Sequence, residues 1–382
     1  MSFSYWSNKP VSVNVQSTKQ ILSNEALSKL ITTDKTLSKY NFEMYYKIVE
    51  SINISSEKIS QIADFININY QYAEDLSLIY TPDILEYFIN QDTVVIEFFQ
   101  NNSDVQVGII MGKKVKLMII EEFESSIEVN FLCLVKAFRS LHTSSYMINS
   151  LIKECIKKFD IGIGHYTIGK KINSPSFCCK KMYHRPININ NLVQCGFFGF
   201  EYDISALMCK FNDWKESEPN SNLIYINGLT HPNSKYLEEI YNKLSTFRQK
   251  EYRIHDRITK NDVMQTFTNK AFHHFLFKVS NDIDSYFCFF ESKSINNKNL
   301  QMYTNGILYR HFTTKEITNI SKLLEEVSKR CYEIGKIDTL SMNETFTYEL
   351  KNWLLGTGKL RYYLFNKEVD TIKAHKNGLV TI

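Results

Sequence analysis

The sequence predicts an α/β protein made of two halves of similar plan, and three observations carry that reading. Strand-length apolar runs rich in Val, Ile and Phe alternate with amphipathic stretches of helical period. A strand apolar on both faces, a short polar loop and a long amphipathic helix follow one another over residues 127–159. The same vocabulary returns after residue 230. At 382 residues the chain is long for a single core and suits two domains or two lobes.

After an irregular start, "SSEKISQIADFININY" sets Ile59, Ile62, Phe65, Ile66 and Tyr70 on one face of a helix. "YTPDILEYFI" then supplies three start signals in succession: Thr81 as N-cap, Pro82 at the first helical position and Asp83 in the first turn. "TVVIEFF", two runs within "VQVGIIMGKKVKLMII" broken at Gly112-Lys113-Lys114, and "IEVNFLCLV" read as consecutive strands, the last of them central. "SSYMINSLIKECIKKF" carries Met147, Leu151, Cys155 and Phe159 in a helical stripe, and "IGIGHYTIG" is the next strand. In the later half, "NSKYLEEIYNKLSTF" and "TKNDVMQTFT" read as helices and "HFLFKV", "DSYFCFFES" and "GILYRHF" as strands. A long helix opens with Thr313 and Glu316 at capping-box spacing and closes near Gly335. "IDTLSM", "LRYYLFN" and the terminal "GLVTI" are the last strands. Residues 205–230, polar in the middle and holding Pro219, are the expected connection between a first half, 1–204, and a second, 231–382. Two α/β halves of similar plan are expected rather than one sheet of a dozen strands.

Composition narrows the function. The 45 Lys and Arg against 41 Asp and Glu leave +4, and no long basic run occurs, so a dedicated nucleic-acid binder is excluded. The eight cysteines form no CxxC pair and several lie in apolar runs, the pattern of reduced thiols in a cytoplasmic protein. The histidines lack HExxH spacing, so no metal is expected, and His273 and His274 should face opposite sides of a strand. The start has no apolar signal core and no run is long enough to span a bilayer, so no integral membrane association is expected.

The stretch "EVNFLCLVKAFRSLHTSSYMINSLIKE" feeds a strand through a small polar loop into a helix start. Free N–H groups and the helix dipole there favour an anion such as phosphate. The glycines of a Walker or Rossmann loop are missing, and local pattern alone is equally that of a plain β-loop-α unit with a serine N-cap. The end, "HKNGLVTI", poses a second question, because Leu379, Val380 and Ile382 are apolar where most chains fray into polar residues.

"EVNFLCLVKAFRS" resembles the signature of the N-myristoyltransferases, E-I-N-F-L-C-V-H-K-x-L-R-S. "FSYWSNKPV" is similar to that family's F-W-x-x-x-P-V, "YTPDILEYFI" to its Y-S-P-E-F-L, and "HYTIG" with "CCKKMYHRPIN" to its Y-T-A-G and C-R-Y-W-H-R-S-L-N. "GTGKLRYYLFN" resembles G-D-G-N-L-Q-Y-Y-L-Y-N, and "KNGLVTI" resembles K-x-G-L-V-x-x. These islands keep the family's order and cover most of the chain, the match being weak over 205–250. The resemblance implies two pseudo-symmetric GNAT-type acyltransferase halves sharing a saddle-like mixed sheet. It further implies transfer of a C14 acyl group from myristoyl-CoA to the N-terminal glycine amine of a peptide or protein, by a monomer.

What the resemblance assigns to residues is equally specific. The backbone N–H groups of Phe131 and Leu132 form the oxyanion hole, and the terminal α-carboxylate, here that of Ile382, is the general base. Asn130 and Thr167 hold the incoming amine. Acyl-CoA contacts fall to Phe3, Ser4, Tyr5, Trp6, Cys133, Leu134, Arg139, Ser140, His142, Thr143 and Ser144. The peptide groove receives Tyr70, Glu74, Asp75, Tyr80, His184, Gly356 and Gly358. The chain departs from the pattern in places: Leu141-His142 replace a basic pair, Ser144-Ser145 a small-Pro helix start, and an acidic run is cut to Glu74-Asp75. Gly356-Thr357-Gly358 replaces Gly-Asp-Gly. The last two changes remove negative charge from the groove, so a weaker preference for Lys or Arg in the peptide is expected. The competing expectations are a related N-acyltransferase for another chain length, or a catalytically weak protein that binds acyl-CoA or lipidated peptides.

Overall fold

The computed structural model describes residues 20–32, 44–70, 75–139, 143–198, 203–211, 222–229, 234–314, 317–346, 350 and 352–380. Helix α1 (Asn24–Thr32) precedes β1 (Met44–Val49), α2 (Ser56–Asn69), β2 (Leu76–Ile79), α3 (Pro82–Phe88), β3 (Thr93–Gln100), β4 (Gln106–Ile119), β5 (Glu122–Leu134), α4 (Thr143–Phe159), β6 (Gly164–Ile168) and β7 (Cys178–Pro186). Helices α5 (Ile189–Gln194) and α6 (Ile204–Phe211) follow. Then come β8 (Leu223–Ile226), α7 (Ser234–Glu251), β9 (Ile254–Asp256), α8 (Lys260–Thr268), β10 (Phe272–Val279), β11 (Asp282–Asn296), β12 (Met302–Thr313), α9 (Ile317–Ile334), β13 (Thr339–Asn343) and β14 (Leu354–Phe365).

The succession from β1 to β7 is repeated, element for element, from β8 to β14. The pairing repeats too. β1 and β8 flank β3 and β10, three antiparallel strands follow in each half, and β5 and β12 run parallel to β6 and β13. The halves are not separate, however. All strands join one 14-stranded sheet in the order β1-β3-β4-β5-β6-β14-β7-β13-β12-β11-β10-β8, with β2 on β11 and β9 on β4. Each half lends strands to the other: β14 pairs with β6 and β7, and β7 also with β13. Strand exchange satisfies backbone groups that would otherwise form two exposed sheet edges, so the two halves share one mixed sheet. The segment 205–230 contains most of α6 and all of β8.

Alternation of side chains splits the core by face. Val95, Ile109, Met111, Phe272, Leu276 and Tyr286 point into one core, shared by α2, α3, α7 and α8 of both halves. On the opposite face α4 covers Val94, Ile96 and Ile110, while Phe275, Phe287 and Phe289 share a core with Leu324 and Val327 of α9. Helix α2 shows why these stretches are helical: Ser55 caps it by accepting from the Lys58 N–H at 3.1 Å, and Ile59, Ile62 and Ile66 are buried on one stripe. Each such side chain contributes about 1.5–3 kcal/mol on leaving water.

Other expectations are corrected in detail. Gly112-Lys113-Lys114 is no break, because β4 runs through it. A Cβ on Gly112 would lie 2.8 Å from Ile127 and 3.1 Å from Leu151, so the glycine serves close packing beneath α4 rather than a turn. Thr313 does not cap α9. It ends β12 opposite Ser285, with which it shares a hydroxyl hydrogen bond of 2.8 Å, and α9 starts at Ile317. Gly335 does terminate α9, with φ +67 and its N–H on the Cys331 carbonyl at 3.0 Å. Of the expected terminal strand the described part, residues 378–380, joins no ladder, while Asn377 makes an isolated bridge to Ile254; residues 381–382 lie outside the described residues. His273 and His274 face opposite ways, toward Glu291 and toward Tyr286.

Candidate active site

The register of β4 against β5 shifts between Ile109, opposite Cys133, and Met111, opposite Asn130. Phe131 and Leu132 therefore stand against the single residue Ile110, forming a β-bulge. Phe131 has φ +53, a left-handed conformation costly for an aromatic residue. A bulge removes the extra residue from the ladder and re-aims its backbone donors. The cost is met by packing: Phe131 is buried, edge-on to Phe88 at 5.3 Å and to Tyr80 at 5.1 Å, and Tyr70 stands edge-on to Tyr80 at 5.8 Å. Leu132 points the other way and is 37% exposed.

Strands β5 and β6 pair only at Ile127 with Gly164 and Glu128 with His165. Beyond that point no pairs join them, so at the level of Asn130 to Leu132 the sheet opens. Asn130 donates to Glu128 Oε1 at 3.0 Å, and Thr167 lies across the opening on β6, in register with Tyr362 of β14. The structure thus groups Phe131 with Tyr80 and Tyr70, Asn130 and Leu132 flanking Phe131 on β5, and Thr167 lies on β6, the strand that parts from β5 here. Cys133 and Leu134 are buried in β5, and burial pushes the Cys133 thiol up to about 12.

Other expected residues are placed differently. Arg139 is engaged with carbonyls, its Nε donating to Leu134 O at 2.9 Å and its Nη2 to Asn69 O. Helix α4 opens at Thr143, whose hydroxyl donates to the Phe138 carbonyl at 3.0 Å, so Ser144 stands inside the first turn and not at the cap. His184 is held by Ser341 at 2.6 Å, and its Nε2 would be 2.8 Å from a Cβ on Gly356; burial pulls its pKa down to about 4. Gly356 and Gly358 lie in a bulge of β14, Gly358 with open space around it. Asp75 is paired to Lys298 at 2.7 Å. Phe3, Ser4, Tyr5, Trp6, Glu74, Ser140, His142 and Ile382 lie outside the described residues.

Sequence reasoning missed the polar surroundings of this opening. A cavity of about 870 Å³ lies between the halves, lined by Lys113, Glu128, His165, Asp256, Arg310, Leu379 and Val380 among others. Lys113 and Glu128 are directly opposite in the β4–β5 register. Glu128 borders the cavity yet lies deep in the protein, and this desolvation raises its pKa to about 7 against the opposing pull of Lys113. Asp256 is shared by Arg248 and, at 3.5 Å, Arg310; burial opposes its ionisation, but the two guanidiniums win and hold it below its ordinary value. Tyr87 and Tyr309 share a hydroxyl hydrogen bond of 2.9 Å beside them. The available signal was charge in apolar strands, Lys113 and Glu128 above all. Among the described residues no group of His, Cys, Asp and Glu could hold a metal ion, and no helix is long and apolar enough to cross a membrane.

The last described residues run into this cavity. Three consecutive carbonyls accept from buried side chains: Asn377 O from Lys180 Nζ at 2.6 Å, Gly378 O from Arg248 Nη2 at 3.2 Å, and Leu379 O from the Tyr362 hydroxyl at 3.2 Å. The Gly378 N–H donates to Ile254 O at 2.7 Å.

Residues 27–179 match the family described as "Myristoyl-CoA:protein N-myristoyltransferase, N-terminal domain". The glycylpeptide N-tetradecanoyltransferase of Dictyostelium discoideum is 25% identical over 359 residues, covering 87% of this chain and 83% of that one. The Plasmodium falciparum (isolate 3D7) enzyme is 21% identical over 284 residues, 72% of this chain and 67% of its own length. The Mycosarcoma maydis enzyme is 27% identical over 163 residues, 40% of this chain and 22% of its length, so the match spans about a fifth of that relative. The crystal structure of Saccharomyces cerevisiae N-myristoyltransferase with bound myristoyl-CoA superposes with a TM-score of 0.80 at 17% identity, covering 100% of this chain and 99% of that one, a likeness of fold.

Proposed function

We propose that this chain is a member of the N-myristoyltransferase family and transfers myristate from myristoyl-CoA to the N-terminal glycine amine of peptides and proteins. The observation that carries this is the bulge at Phe131 and Leu132, at the point where β5 and β6 part. In this reading the thioester carbonyl lies against the backbone N–H groups of Phe131 and Leu132, which stabilise the oxyanion as the amine attacks. Asn130 and Thr167 orient the amine. The α-carboxylate carried by Ile382 takes its proton, brought to the reaction by the pinned segment 377–380. The tetrahedral intermediate then collapses with loss of the CoA thiol.

The first half, 1–204, would hold the acyl-CoA, with phosphates at the loop before α4 and the aromatic segment Phe3 to Trp6 along the nucleotide. Residues 205–230 connect, and 231–382 complete the peptide groove, with Tyr70, Tyr80, His184, Gly356 and Gly358 along it. Arg139 already bonds two carbonyls, so loop amides rather than this side chain supply the main phosphate contacts. We place the reaction in the cytoplasm, where the eight cysteines, all free in the structure, stay reduced, and take the monomer as the working unit. The test is release of CoA thiol from myristoyl-CoA with a Gly-starting octapeptide, beside an Ala-starting control and a variant extended by two residues past Ile382. Turnover that needs glycine and collapses on extension supports both the reaction and the base. Binding without turnover supports an acyl-CoA-binding protein instead.

A further inference from the structure

Lys180 has an unusual position. It is 1% exposed, yet the described structure gives it no carboxylate within ion-pair distance. Its ammonium donates to Asn377 O at 2.6 Å, lies 3.5 Å from Leu379 O, and stands 5.3 Å from the centre of the Tyr362 ring. Burial of that kind is costly, and it lowers the lysine's pKa to about 8. Two carbonyl dipoles and an aromatic face are its compensation. The same segment takes the Tyr362 hydroxyl on Leu379 O, the two groups coming from neighbouring strands β7 and β14, where Lys180 and Leu360 are in register. Residues 378–380 join no ladder and the Gly378 N–H makes one backbone bond, to Ile254 O at 2.7 Å, so these side-chain bonds supply the rest of the hold on the segment.

We infer that Lys180, together with Tyr362, is a positioning clamp for the chain end that supplies the base, and that it sets the turnover step without touching substrate. The inference rests on the proposed role of the Ile382 carboxylate. The clamp grips Asn377 and Leu379, five and three residues before Ile382, and lies away from the Phe131 bulge, so losing it should loosen the hold on the terminal carboxylate without disturbing that bulge. Arg248 holds only the Gly378 carbonyl and is engaged with Asp256, so it is a weaker substitute.

The experiment compares Lys180→Met and Tyr362→Phe with the parent, measuring kcat, peptide KM, myristoyl-CoA Kd and thermal melting, alongside the extension past Ile382. Lys180→Met should lower kcat roughly 10- to 100-fold, the loss expected when a reacting group is misplaced by about 1 Å, with acyl-CoA Kd unchanged. Tyr362→Phe, which removes one hydroxyl at constant volume, should lower kcat by a smaller factor with the same unchanged Kd, and decides the matter should Lys180→Met fail to fold. If the extension abolishes turnover but both variants keep kcat within about twofold, the clamp is refuted and the base stands. If the extension leaves turnover intact, the base itself is misassigned and the clamp falls with it. A fall in acyl-CoA affinity equal to the fall in kcat would also overturn the inference, because it would mark a general loss of structure.

Discussion

Replacing Gly378 by Ala tests whether the end of the chain is fixed. A Cβ at this position would collide with the Tyr252 ring, 2.7 and 2.9 Å from two of its atoms and nearer still to Cδ2, where ordinary contact begins at 3.4 Å. One partner must therefore move by about 1 Å. Tyr252 is buried, edge-on to Phe247 at 6.0 Å and beneath the Arg248 guanidinium at 5.7 Å, so its ring has little room. If the ring yields, overpacking costs about 1–3 kcal/mol of stability. If the segment yields, the bonds to Lys180, Arg248 and Tyr362 stretch, and a base displaced by about 1 Å loses on the order of 100-fold in kcat. Thiol release and thermal melting measured on the same variant separate the two routes. A Gly378→Ala protein with the parent's kcat and the parent's melting temperature would refute the reasoning, because it would show that the segment is free to shift.

Three further outcomes are expected. With Asp75 tied to Lys298 and Thr357 between the two groove glycines, peptides carrying Lys or Gln downstream of glycine should give kcat/KM values within a factor of about three; a strong Lys preference would show that the groove keeps negative charge from elsewhere. Gly112→Ala pushes against Ile127 and Leu151 and should cost about 1–3 kcal/mol in a denaturant titration, whereas a turn at Gly112-Lys113-Lys114 would tolerate it. His165, His274 and His311 are buried, and desolvation pulls their pKa values down to about 4, 3 and 3. The unfolded chain binds these protons first, near 6.5, so the stability is present above that pH and falls as pH drops toward 4. The loss is about 1.4 kcal/mol per pH unit per histidine at most. Melting temperatures unchanged between pH 6.5 and 5 would contradict this.

Much of the fold was legible because periodicity reports burial directly. The stripe through Ile59, Ile62 and Ile66 and the start signals at Thr81 and Pro82 gave α2 and α3, and the alternation in "HHFLFKV" placed His273 and His274 on opposite faces. Local signals failed where a tertiary contact outweighed them. Gly112 answers to a helix packed above it, and Thr313 answers to Ser285 across the sheet. The fusion of the halves rests on pairs such as Tyr362 with Thr167, nearly two hundred residues apart, which no local window contains. In the site, the motif "EVNFLCLV" singled out Phe131 and Leu132 only through a resemblance, and no periodicity foretold the bulge they form. Lys180, Arg248 and Arg310 escaped notice because charged residues are ordinarily surface residues, and nothing local marks a buried one. The terminal "GLVTI" read as a strand because apolar β-formers suggest one, while in its described part the carbonyls of Gly378 and Leu379, and of Asn377 before them, accept from side chains of α7, β14 and β7.

The central claim is that this chain joins a C14 acyl group to an N-terminal glycine amine. The most direct test is a single-turnover mixture of the full chain, myristoyl-CoA and a Gly-starting peptide that also contains one lysine, with the product located by fragmentation mass spectrometry. The account predicts one tetradecanoyl group, on the α-amine of glycine, with one CoA thiol released per peptide modified. An unmodified peptide in the presence of bound myristoyl-CoA, or an acyl group found on an Ala-starting control as readily as on glycine, would contradict it.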